Sequence, residues 1–178
     1  MTDREFLELW QEEDRRNYAF NLLLRQYTQQ LYWHIRKLVG DHEAANDLLQ
    51  NTWVKVWKNL DGFRGESKLV TWLYTIATHE TLSYLRKERL RSLLTFAAPE
   101  AALHLEASED LDGERLKRKL QKAILTLPPK QRTVFVLRYF EEMKYEEISV
   151  ITGTSEGALK ASYHHAYKKI EQILKSMD

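Results

Sequence analysis

Apolar residues recur at spacings of three and four along most of this chain, and strict alternation is nowhere sustained long enough for a strand. Phe20, Leu23, Leu24, Tyr27, Leu31, Ile35 and Leu38 make one stripe of a long helix. Gly40 closes that helix and Asp41 is placed to cap the next one. The second helix buries Ala45, Leu48, Leu49, Thr52 and Val56 and stops at Asp61-Gly62. A polar turn, Phe63 to Lys68, leads into a third helix from about Leu69 to Arg91. Further on, Leu116, Leu120, Ala123, Ile124 and Leu127 mark another helix, broken by Pro128-Pro129. Proline suits a first helical turn, so a new helix runs from there to about Phe140. The expected fold class is all-α.

The last sixty or so residues carry the most specific local pattern. Tyr145-Glu146-Glu147-Ile148 opens a short helix, Ile151-Thr152-Gly153 ends it, and Thr154-Ser155 offers caps for a longer one. That order is a helix-turn-helix. Leu159, Tyr163, Ala166, Ile170 and Leu174 face the core of the longer helix, so Gly157, Lys160, Ala161, His164, His165 and Lys168 lie on its other face. Lysines there meet phosphates, and small residues let a helix approach base edges in a major groove. A helical hairpin with a solvated polar face fits the same pattern.

Charge divides the chain further. The 178 residues carry a net charge of +1, which resolves into 0 over residues 1–90, −4 over 91–113 and +5 over 114–178. The middle stretch lacks periodicity and contains Pro99 and Gly113. It reads as a flexible acidic linker between two small helical domains, 1–90 and 114–178. With 43% hydrophobic and 30% charged residues, the chain is expected to be folded and soluble. No apolar run is long enough to span a membrane, and no secretory signal opens the chain, so the expected location is cytoplasmic. The absence of cysteine excludes disulfides, thiolate zinc sites and a cysteine nucleophile.

Two surfaces of the N-terminal block stand out. Asp47, Gln50, Asn51 and Val54 cluster on the arc of their helix opposite its core residues, and suit either a docked partner helix or plain solvation. Phe63, Arg64, Trp72, Tyr74, His79, Tyr84, Arg86, Lys87, Arg89 and Arg91 interleave aromatic and basic groups, a pattern that fits single-stranded nucleic acid or, for the tryptophan, a core position.

These residues resemble a known family. Asp47-Leu48-Leu49-Gln50-Asn51-Thr52-Trp53, Phe63-Arg64-Gly65-Glu66-Ser67 and Thr71-Trp72-Leu73-Tyr74-Thr75-Ile76-Ala77 are similar, in that order, to region 2 of bacterial sigma factors. Leu127-Pro128-Pro129-Lys130-Gln131-Arg132-Thr133-Val134-Phe135, Tyr145-Glu146-Glu147-Ile148 and Gly157-Ala158-Leu159-Lys160 resemble region 4. Two regions and a short linker are the layout of the extracytoplasmic-function (ECF) group of RNA polymerase sigma factors.

The resemblance implies a transcription initiation factor that binds core RNA polymerase and directs it to promoters. It implies polymerase binding by Asp47, Gln50 and Asn51, with Val54 on the same stripe; Asn51 stands where a glutamate is common. It implies capture of a flipped −10 base by the Phe63, Arg64, Ser67, Lys68 loop, and contact with −10 DNA through Trp72, His79, Ser83, Arg86 and Lys87. His79 and Ser83 replace the family's usual asparagine and aspartate. For the −35 element it implies Ser155, Glu156, Gly157, Lys160, Ala161, His164 and Lys168, with Lys169, Arg132 and Arg138 as further backbone contacts. Ser162, His165 and Tyr167 replace common arginines, which predicts a shallower salt dependence. A linker of about 22 residues reaches at most ~75 Å, against roughly 70 Å for two turns of B-DNA. The acidic Glu106, Glu109, Asp110 and Asp112 would pass near the template-strand channel and mimic nucleic acid there. An anti-sigma factor is an implied partner.

Enzyme chemistry finds no footing. The phosphate-loop and dinucleotide glycine patterns are missing, and His79-Glu80 lacks the second histidine of a zincin at Ser83. No cofactor, metal site or small-molecule substrate is expected. A stand-alone helix-turn-helix regulator would account for residues 114–178 but leave the Asp47 stripe idle, and a protein-binding helical adaptor would need no Phe63–Lys68 loop.

Overall fold

The computed structural model describes residues 1–95 and 112–177, and among these it is built of α-helices joined by short turns, with no strand. Its helices are α1 (Asp3–Gln11), α2 (Arg16–Val39), α3 (His42–Asn59), α4 (Leu69–Thr95), α5 (Asp112–Leu125), α6 (Pro129–Tyr139), α7 (Tyr145–Thr152) and α8 (Glu156–Ser176). The all-α fold with a helix-turn-helix at the C-terminal end is as the periodicity predicts. Helix α4 runs past Arg91 to Thr95, and α5 begins at Asp112, inside the stretch read as a tether. The rest of that stretch, with Glu106, Glu109 and Asp110, lies outside the described residues.

Local chemistry explains most of the boundaries. Asp41 caps α3 by accepting a hydrogen bond from the Ala44 amide at 2.7 Å. Gly40 ends α2 with φ of 78°, a left-handed conformation that favours glycine. Pro129 opens α6 at its first turn. Helix α1 was not visible in the long-range periodicity. Its signal is local: Thr2 and Glu5 form a reciprocal capping box, and Phe6 and Trp10 then bury the next turns.

The first four helices pack as one unit, with α2, α3 and α4 in mutual contact and α1 laid against α2. The last four form a second unit around α8. The two domains do not stand apart. A single apolar cluster runs from Leu31, Leu73 and Tyr74 into Val134, Leu137, Met143, Ile148 and Ile151, and Leu38 of α2 belongs to the cluster of the C-terminal helices. Leu116, read as a core position, is instead 59% exposed on α5.

Two buried polar groups sit near this junction. Arg132 and Arg138, read as extra DNA contacts, are both committed internally. The buried Arg132 guanidinium donates to the carbonyl oxygens of Leu38, Leu125 (2.7 Å) and Leu127 (3.0 Å), so it ties the end of α2 to the α5–α6 turn. Arg138 donates to the Met143 carbonyl at 2.8 Å and stacks over the Tyr145 ring. A carbonyl left without its donor in such a place costs the full desolvation of that group. Replacing Arg132 with alanine is therefore expected to cost about 3 kcal/mol of stability, read from denaturant unfolding.

His34 is fully buried, with Nε2 2.9 Å from Thr78 Oγ1 and its ring edge-on to Tyr74. Burial, helped by the nearby Lys37 charge, pushes its pKa down from 6.5 to about 3. Between those two values the unfolded chain takes up a proton that the native state refuses, so stability falls as pH drops through that window. Denaturant titrations at a series of pH values should show this slope, and His34→Gln should remove His34's share of it.

Candidate functional site

Helix α3 presents its wet face along one line. Asp47, Gln50 and Asn51 are exposed, and Val54 is 52% exposed, while Ala45, Leu48, Thr52 and Val56 on the other side are buried. Beside this stripe a shallow groove of about 580 Å³ lies between α2 and α3, lined among others by Leu24, Arg25, Tyr32, Asn46 and Leu49. Leu49, read as core, is half-buried and forms part of this groove. The α2 side of the groove carries no signal in the sequence, because Arg25 and Tyr32 fit equally well as ordinary flanks of an amphipathic helix. Such a face can take another helix: apolar contact in the groove, with a carboxylate and amides at its rim.

The polar turn between α3 and α4 is the second feature. Phe63 is nearly buried and its ring lies 5.2 Å from that of Trp72, on the first turns of α4. Gly65 has φ of 72°, which lets the turn reverse where a side chain would be strained. Gly62, Phe63, Arg64, Glu66, Ser67 and Trp72 enclose a cavity of about 390 Å³. It offers two aromatic rings, a hydroxyl and a guanidinium to one occupant. Trp72 packs against Phe63 and also lines this cavity.

The remaining residues expected on the −10 surface divide. Arg86 and Lys87 are exposed and Ser83 is half-buried. Lys68 and His79 instead meet the helix-turn-helix. Lys68 Nζ lies 2.9 Å from Glu147, which raises the lysine pKa, while Lys68 and the Lys144 amide hold the Glu147 carboxyl low. His79 Nε2 donates to the Ile151 carbonyl at 2.9 Å. One turn earlier, the Tyr74 hydroxyl donates to Glu141 at 2.7 Å, and Lys37 lies 3.4 Å from the same carboxylate. Burial and the Glu141 charge push the Tyr74 hydroxyl pKa up. Glu80, the neighbour of His79, is ion-paired with Lys55.

The helix-turn-helix leaves one face of α8 open. Gly153 closes α7, and the Ser155 hydroxyl caps α8 by accepting from the Ala158 amide at 3.3 Å. Leu159, Ala166 and Ile170 are buried, whereas Ser155, Glu156, Gly157, Lys160, Ala161, His164 and Lys168 are all exposed. The sequence reading passed over Tyr145 as a contact. Its ring carries Arg138 at 4.8 Å on α6 and Lys160 at 5.8 Å on α8, so it holds one of the exposed lysines in place.

Residues 23–91 match the family model for Sigma-70 region 2, and residues 117–170 match that for Sigma-70, region 4. The chain is 31% identical over 155 residues to the RNA polymerase sigma factor YlaC of Bacillus subtilis, a match covering 84% of this chain and 88% of that protein. It is 28% identical to the ECF RNA polymerase sigma factor SigW of the same organism, with 89% and 90% covered. Among solved structures it resembles the sigma factor RpoE of Bartonella quintana, crystallised with the anti-sigma factor NepR. The TM-score is 0.74 at 27% identity, over 88% of this chain and 96% of that one. With both modules present and in this order, the chain belongs to the bacterial RNA polymerase sigma factors, in the ECF group.

Proposed function

We propose that this protein binds core RNA polymerase through α3 and the adjoining groove, captures a melted −10 base in the Phe63–Trp72 cavity, and reads the −35 element with α8. The role of a promoter-directing initiation factor comes with the family, and three separate surfaces divide its tasks. The observation that carries it is the presence on one chain of an exposed Asp47-Gln50-Asn51-Val54 line, an aromatic-walled cavity and an open recognition face. Each element then has a physical task. Unstacking a base costs a few kcal/mol, and stacking on Trp72 or Phe63 with polar contacts from Arg64 and Ser67 offsets that cost. Arg86 and Lys87 follow the phosphates, and Lys160 and Lys168 do the same at the upstream element.

Lys68 and His79 serve the −10 element only after they leave Glu147 and Ile151, so promoter engagement includes parting of the two domains. An anti-sigma factor is the expected inhibitory partner; it is supported by the capture of the similar RpoE with NepR. No helix among the described residues is long and apolar enough to cross a membrane. The cytoplasm, where core polymerase works, is the proposed location.

Runoff transcription with purified core polymerase on a genomic promoter library tests the whole reading. Discrete new transcripts with shared upstream elements are expected, and Asp47→Ala with Gln50→Ala should abolish them along with core binding. No transcripts and no core binding from a folded protein would favour a stand-alone regulator. The closed arrangement is tested separately by Glu147→Gln, which removes the Lys68 partner. Its affinity for single-stranded −10 oligonucleotides should rise a few-fold, and its salt slope should steepen by up to about 0.7, read by fluorescence anisotropy.

A further inference from the structure

Helix α1 touches the cavity-lining turn at both ends. Where the turn begins, Trp10 Nε1 donates to Asp61 Oδ1 at 2.9 Å, and Arg16 lies 3.3 Å from the same carboxylate. Where it ends, the Asp3 carboxylate accepts a hydrogen bond from the Leu69 amide at 2.7 Å. Between these points Leu7 lies against Gly65, 4.0 Å from where a Cβ would stand. We propose that α1 is a bracket that sets the shape of the Phe63–Trp72 cavity, and that Asp3 is a positioning residue for base selection at the −10 element. The proposal rests on the base-capture reading above.

The first amides of a helix have no partner within it, and a residue just before the helix usually supplies one. The turn before α4 does not: Ser67 directs its hydroxyl to the Lys68 carbonyl. The acceptor comes instead from 66 positions upstream, on a helix that is itself fixed by its capping box and by the buried Phe6 and Trp10. A carboxylate at that end also suits the helix dipole. The consequence for the cavity is direct. The Trp72 amide bonds to the Lys68 carbonyl in that same first turn, at 3.1 Å, so the turn that Asp3 holds is the one that aims the Trp72 ring at Phe63. Asp3 lines no part of the cavity, so its effect on the Trp72 ring runs through this turn.

The test uses the full chain as wild type, Asp3→Ala and Asp3→Asn. Amide hydrogen exchange in the free protein reads the turn itself, over residues 69–72. Initiation by the reconstituted holoenzyme, on promoters substituted at each −10 and −35 position, reads selectivity. For Asp3→Ala, faster exchange at 69–72 is expected, together with a roughly fivefold loss of preference for the captured −10 base. Preference at −35 and affinity for core polymerase should be unchanged, and Asp3→Asn, which keeps an acceptor oxygen, should restore most of the preference. Unchanged exchange, faster exchange with intact −10 preference, or equal losses at −10 and −35 would each overturn the proposal. A wild-type protein without preference at any −10 base would overturn the base-capture reading itself, and the bracket's role in selection with it.

Discussion

Helix α4 has almost no wet side over its first four turns. From Leu69 to Leu85 only His79 is exposed, and Leu69, Thr71, Leu73, Tyr74, Ala77, Thr78 and Thr81 are buried. A helix with so little exposed surface has to be covered on most of its sides. The covering elements come from the whole chain: α2 and α3 on one flank, α6 and α7 on the other, and α1 at its start. The domain arrangement, the cavity beside Trp72 and the placement of His34 against Tyr74 and Thr78 all follow from enclosing this one helix.

The enclosure has a cost on the proposed DNA side. Helix α7 packs on the flank of α4 that carries Lys68 and His79, so a protein neighbour and a nucleic acid compete for the same groups. The polar part of the junction is light. The Lys68–Glu147 pair is largely exposed on the lysine side, and such pairs contribute roughly 0–1 kcal/mol. More of the holding power lies in the shared apolar cluster and in Glu141, whose carboxylate, only 14% exposed, takes both Tyr74 and Lys37.

Much of this was legible in the sequence. Periodicity located α2, α3 and the long helix of the helix-turn-helix, because each has a dry face set against a wet one, while Pro128-Pro129 marked the start of α6. The exposed α3 line and the open face of α8 follow from the same asymmetry. What stayed hidden is what periodicity does not encode. Helix α1 is too short to build a stripe, and only its capping box marks it. The roles of Arg132 and Glu141 depend on residues about a hundred and about seventy positions distant, and a lone charge beside an apolar run reads as surface. The family motifs named the turn from Phe63 to Lys68, but not that Lys68 faces Glu147, since that pairing joins two domains across the linker.

The end of α2 shows how little room the junction leaves. A Cβ added at Gly40 would stand 2.6 Å from a methyl carbon of Leu125, on a helix of the other domain. The residue is thus selected twice, once by its own dihedral angle and once by a neighbour that belongs to a different module. A side chain at 40 would have to push the Leu125 methyl groups aside and also hold a left-handed backbone that disfavours it. The end of one module's helix thus sets how near α5 of the other module can come, and a glycine is what lets them meet.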